Sequence, residues 1–167
     1  VGLGLRTAVA QTDLPNPSPN LELIPAGSLV IPMDNSKQNV GSDFNLRAYG
    51  LVNSLLWDEI PVKWAIRAGK AKDGIDFSAE AQRIYPSTLA ATTLDFRAGP
   101  FIIHEYWAAE AQPKIAAFGN DVAVYRLTED VTVDIRYTLT HKPKVGVLSD
   151  GGTSGIHTAI LDSAGFV

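Results

Sequence analysis

Cysteine is absent from this 167-residue chain. That excludes thiol nucleophiles, disulfide frameworks and Cys-ligated zinc. Histidine is scarce as well: His104, His141 and His157 share no ligand spacing such as H-x-x-x-H, so no metal site is expected. An excess of positive charge is also missing. With a net charge of −4 and no basic patch interleaved with aromatics, nucleic acid and anionic membranes are set aside as partners. No apolar run approaches the roughly 18–20 residues of a membrane span. What is present is globular in character, since 46% hydrophobic residues argue against disorder and suffice for one buried core.

Both ends read as cut. The chain begins at Val1, and "VGLGLRTAVAQTDLP" reads either as the tail of a secretory signal peptide, with Ala8-Val9-Ala10 before Gln11 as the A-x-A site, or as a plain N-terminal arm. The first reading places the protein outside the cell or in the periplasm, the second leaves it cytoplasmic. The other end stops at "LDSAGFV", where a new strand is expected. Prolines 15, 17, 19 and 25 make residues 11–28 an extended linker by composition.

From Ser28 onward the pattern alternates between strand and helix. "SLVIPMD" gives a short buried strand and Asp43 an N-cap. Phe44, Ala48, Leu51, Val52 and Leu55 then share one helical face, and "PVKWAI" supplies a second strand. This is a βαβ unit, which implies a parallel pair. Gly50 inside the helix costs about 1 kcal/mol relative to Ala unless close packing needs it. Ser78 is read as the cap of a short helix over 79–85 that Pro86 ends. "TLDFRAGPFIIH" is read as a strand broken at Gly99-Pro100, and "EYWAAEAQPKIAAFG" as a helix that Pro113 kinks or divides and Gly119 stops. "DVAVYRL" is the next strand. "VTVDIRYTLT" then alternates with period two over ten residues, predicting an antiparallel or edge strand. After "HKPK" the signature restarts, with Val145 to Leu148 as a strand and Ile156 to Ala164 as a helix.

These elements predict an α/β fold: a mostly parallel sheet flanked by helices, with one amphipathic edge or bridging strand. The divisions are an arm and linker over 1–27, an α/β domain over 28–128, a bridging strand over 129–143, and the start of a second α/β unit over 144–167. In the rival division that last βα belongs to one doubly wound domain.

Ligands of such sheets bind where strand ends lead into helices, which points to three loops: Asp34-Asn35, Arg67 to Asp73, and Ser149 to Ser154. The glycine loop fails as a Walker A motif for want of lysine. It fails as a dinucleotide turn because Asp150 stands at the first glycine position, and as a nucleophile elbow because Ile156 stands at the last. It remains a βα turn whose free amides suit an anion, with Thr153 or Ser154 as N-cap. The candidate ligand-binding residues are therefore Asp34, Asn35, Ser149, Asp150, Gly151, Gly152, Thr153 and Ser154. For an acid-base hydrolase the candidates are Asp34, Asp150, His104 and His157. Arg67, Lys70 and Lys72 read as a solvated loop or an anion grip. Trp57, Trp64 and Trp107 read as core or, where exposed, a sugar-stacking platform.

Two segments, "KVGVLSDGGTSGIHTAILDSAGF" and "SLVIPMDN…FNLRAYGLVNSLLWDEIPVKWAI", resemble the strand–loop–helix openings of class I glutamine-amidotransferase-like domains, and segments of secreted bacterial proteins. The resemblance covers about a third of the chain. It implies a flavodoxin-like three-layer sandwich. That family's activity needs a cysteine, so the resemblance transfers no catalytic residue and argues against glutaminase activity here. The sequence thus points first to a non-catalytic binding or scaffold module of a larger exported protein. It would take a small polar or carbohydrate-like ligand, and nothing in the sequence calls for a cofactor. The alternatives are the carboxylate/His hydrolase and a structural subunit assembling through the 131–140 strand, so whether it is an enzyme and its oligomeric state stay open.

Overall fold

The computed structural model describes residues 18–40, 45–147 and 154–166. The stretch read as a signal-peptide tail, Asp43 (read as a helix cap) with Phe44, and the loop from Ser149 to Thr153 lie outside them. Eight strands are described: β1 Leu21–Ile24, β2 Leu29–Ile31, β3 Val62–Ala65, β4 Ile75–Tyr85, β5 Thr92–Arg97, β6 Phe101–Ile103, β7 Val124–Leu127 and β8 Val131–Leu139. Three α-helices accompany them: α1 Arg47–Trp57, α2 Glu105–Phe118 and α3 Ser154–Ala164. The strands form one sheet in the order β1-β8-β3-β6-β2-β7-β4-β5. Every adjacent pair is antiparallel, and the sheet curls into a half-barrel.

This overturns the parallel α/β sandwich, and with it the flavodoxin-like and glutamine-amidotransferase-like resemblance. The reason lies in strand insertion. β2, α1 and β3 do follow one another, and β2 and β3 point the same way because each is antiparallel to β6. But β6 lies between them, so the expected parallel ladder is never made. The second opening loses its strand as well, since residues 142–147 have no regular structure. The helix read over 79–85 is part of β4. Phe77, Ala79 and Ala81 are buried while Ser78 is exposed, the period of two that a half-buried strand requires. β1 falls within the proline-rich stretch read as linker.

Irregular pairing bends the sheet and redistributes its side chains. Trp64 faces Tyr137 but Ala65 faces Ile135, leaving one extra residue in β8. Before the bulge Val133 and Ile135 enter the inner cluster, which also holds Val30, Phe77, Phe96, Ile102 and Tyr125. Beyond it Leu139 packs with the outer cluster under the helices, which holds Leu29, Ile31, Leu51, Leu55, Phe101 and Ile115. The run of period two from 131 to 139 is thus one strand serving opposite faces of the sheet. β4 has corresponding shifts at Ile75/Phe77 and Arg83/Tyr85.

α1 and α2 cover the outer face. α2 runs unbroken through Pro113; the His104 side chain caps it by accepting from the Tyr106 N–H at 3.2 Å, and Gly119 (φ 40°) follows it. α3 rests on α1 at Gly50. A Cβ there would lie 1.7 Å from the Ala164 carbonyl oxygen, so close approach explains a glycine that helix propensity alone disfavours. Gly50→Ala is expected to lift α3 off α1 at a cost of about 1–3 kcal/mol. Limited proteolysis would show selective cleavage around residues 140–166, with the sheet intact. Unchanged protection of that segment would refute the contact.

Candidate functional site

The loop after β2 is built to stay in place. The Asp34 carbonyl accepts from the Lys37 and Gln38 N–H groups at 3.1 and 2.9 Å, closing a turn. Gln38 is buried, and its amide ties the loop to the entry of β7. Nε2 donates to the Pro32 and Ala123 carbonyls at 2.9 and 3.1 Å, while Oε1 accepts from the Ala123 N–H at 2.6 Å and from Asn45 Nδ2 at 3.3 Å. Nothing in the sequence singles Gln38 out, because its importance comes from partners 85 residues away.

This loop faces β5, the end strand of the sheet. Between them lies an open cleft of about 900 Å³, lined by Met33 to Lys37, Asp73, Thr93, Leu94, Asp95, Arg97 and Ala98. That is within the range of about 300–1,000 Å³ typical of small-molecule sites. Leu94 and Phe96 sit opposite Ala79 and Phe77 and pack inward, whereas Thr93 and Asp95 sit opposite Glu80 and Ser78 on the other face. Lys37 Nζ stands 5.9 Å from the Phe96 ring centroid, a cation–π contact that holds the loop over the strand.

The charges in the cleft are matched locally. Asp34 pairs with Lys37 at 3.7 Å and also accepts from the Ser36 hydroxyl. Asp95 lies 3.6 Å from Arg97 and accepts from Ser78 Oγ at 2.7 Å. Asp73 lies 3.0 Å from Lys72, and its carbonyl accepts from Arg97 at 3.4 Å. Behind the loop, burial pushes the Tyr125 phenol above its ordinary pKa, the Asp34 charge adds to the rise, and Arg83 opposes it. The phenol therefore stays neutral at physiological pH and packs in the inner cluster.

A second buried group lies in the loop that carries the cleft residue Asp73. Lys70 and Asp76 form an enclosed ion pair at 2.9 Å, with side chains 4% and 0% exposed. Asp76 also accepts from the Arg67 and Gly99 N–H groups at 3.0 and 2.9 Å. Next to it, buried Asp134 accepts from the Asn20 and Ala68 N–H groups at 2.9 and 2.7 Å. The loop read as solvated is thus tied down by the Arg67 and Ala68 N–H groups and by the buried Lys70, while Arg67, Gly69 and residues 71–73 remain exposed.

No family, curated protein or solved structure matches this chain. The site therefore rests on its own geometry. Asp34 and Asn35 line the cleft, but the strand-end rule that pointed to them belongs to parallel sheets and does not apply to this antiparallel one. His104 is a helix cap and His157 lies exposed on α3; neither lines the cleft. Ser149 to Thr153, including Asp150, Gly151 and Gly152, lie outside the described residues, and Ser154 begins α3. Trp64 and Trp107 pack against the outer cluster. Trp57 is 54% exposed, but Lys142 lies over its ring at 4.2 Å. No cluster of His, Asp or Glu able to hold a metal occurs among the described residues, and none of their helices is long and apolar enough to cross a membrane. Missing from the sequence reading were Thr93, Asp95 and Arg97, for which the alternation of "TTLDFR" was the available signal.

Proposed function

We propose that the chain is a non-catalytic binding module whose cleft, between the Asp34–Lys37 turn and β5, takes a small uncharged polyhydroxyl ligand of the carbohydrate type. The observation that carries this is the local matching of charge. Asp34 with Lys37 and Asp95 with Arg97 leave a surface rich in donors and acceptors but without strong net sign. A neutral ligand can donate to the carboxylates, accept from the cations, and use Asn35, Ser36 and Thr93 as further partners. Met33 and Leu94 offer apolar contact to a sugar ring. An anion or cation would instead have to displace an existing ion pair. The acid-base reading gains less support, since the described histidines stand elsewhere.

Titration of the labelled protein with glucose, N-acetylglucosamine and maltose, followed by amide NMR, tests the proposal. Shifts confined to residues 33–37 and 93–98, with affinity near millimolar (about −4 kcal/mol), are expected for at least one sugar. Asn35→Ala and Asp95→Asn should each weaken it up to about tenfold, as loss of one good hydrogen bond does. Tighter binding of glucuronate or phosphate than of any neutral sugar would reject the assignment, as would shifts scattered over the surface.

A further inference from the structure

The other end of the sheet carries a feature that the cleft does not use. β1 is the end strand there, laddered to β8 on one side, with Leu21 opposite Asp134 and Ile24 opposite Val131. Its alternation buries Ile24 completely yet leaves Leu21 66% and Leu23 64% exposed. The outer backbone edge of β1 has no partner among the described residues. Pro19, Pro25 and the charge of Glu22 confine this edge to a short segment, but the apolar side chains that it exposes mark a contact surface.

We propose that β1 is the interface through which a second copy of this chain adds, antiparallel and two-fold symmetric about Glu22. Residues directly opposite in an antiparallel ladder share a face. Centring the pair on Glu22 therefore sets Leu21 against Leu23 of the second copy and Leu23 against its Leu21, so one patch covers itself. The prolines select this register. Centring on Leu23 sets Leu21 against Pro25, and centring on Leu21 sets Leu23 against Pro19, replacing a leucine contact with a residue that has no N–H. Pro19 and Pro25 stand equally far from Glu22, so the segment free to ladder is symmetric about it.

Charge does not oppose the fit, although like charges directly opposite each other in a ladder are unfavourable. On the opposite face the two Glu22 carboxylates approach each other, but each is already bound by Lys63 at 2.6 Å and by Asn20 Nδ2 at 3.1 Å. Lysine, glutamate, glutamate and lysine then sum to zero across the two-fold. The result is a continuous sheet through both copies, with each cleft at its far end.

The absence of cysteine makes the test clean. Under mild oxidation Glu22→Cys should cross-link to itself, since directly opposed residues fall within disulfide reach. Leu21→Cys with Leu23→Cys in one chain should also cross-link efficiently, whereas either alone should do so several-fold less. Thr93→Cys, on β5, serves as the exposed control. The Leu21/Leu23 pair changes only exposed side chains, so it reads the register even where loss of Glu22 disturbs Lys63. Light scattering should give a dimer for the unsubstituted chain and a monomer for Leu21→Lys with Leu23→Lys. A monomer at all concentrations would overturn the proposal, as would cross-linking at Thr93 equal to that at Glu22.

Discussion

Asp76→Ala is expected to be among the most damaging single substitutions, costing about 3–5 kcal/mol of folding stability, because it leaves a buried charge without its partner. Lys70 is 5% exposed overall, and its remaining contact is a weak one to the Gly74 carbonyl at 3.4 Å. The Arg67 and Gly99 N–H groups lose their acceptor in the same step. Gly99 cannot easily move to find another. It sits at φ 69°, a Cβ there would be 2.6 Å from Trp64 Nε1, and its carbonyl already accepts from that indole at 2.9 Å. Asp76→Asn should be milder, since an amide oxygen still accepts, and Lys70→Met milder too, since the carboxylate keeps its backbone donors. Urea unfolding measures the series, and a common m-value would show that the native state and not the denatured ensemble carries the change. A loss for Asp76→Ala below about 0.5 kcal/mol, the range of surface substitutions, would show that the pair contributes nothing to the fold.

The same pair shows where reading the sequence stops. "RAGKAKDGIDFS" announces a polar loop, and its tip is one. Around Lys70, Asp76 is held by the distant Gly99 N–H and Ala68 by Asp134 of β8, which local pattern does not reveal. The cap of α1 fell at Leu46 and not at the expected Asp43, but the Gly119 stop of α2 was legible because its chemistry is local. Strand order was not, because inserting β6 between β2 and β3 is decided by residues about 40 to 70 positions apart in the chain. "SAEAQRIY" misled because alanine, glutamate, glutamine and arginine favour helices. Ala79 and Ala81 lie in the inner cluster with Phe77 and Phe96, so burial of small side chains on a tightly curved sheet overrode propensity. In the candidate site, Asp34 and Asn35 were singled out by a rule for parallel sheets that does not hold for this antiparallel one. The wall they face came from a strand whose edge position only the sheet order defines.

Gln38→Leu is the second large effect expected, and it connects the fold to the cleft. Leucine fills similar space but leaves the Ala123 N–H and the Pro32 and Ala123 carbonyls without the partners they have in the native loop. Each buried backbone group left unpaired costs about 1–3 kcal/mol, and partial relaxation toward water should hold the total near about 3 kcal/mol. Gln38→Glu separates geometry from chemistry. It keeps an acceptor for the Ala123 N–H but sets a carboxylate against two carbonyl oxygens, so it should destabilise to a similar degree at neutral pH. Because the Asp34 turn closes onto the Gln38 N–H, both variants should also loosen residues 34–37. Hydrogen exchange there should rise more than in the Phe101–Ile103 strand, and sugar-induced shifts should weaken together at residues 33–37 and 93–98. If stability falls while the turn keeps its protection, Gln38 anchors the entry to β7 and not the cleft, and the shape of the site depends on the Lys37–Phe96 contact instead.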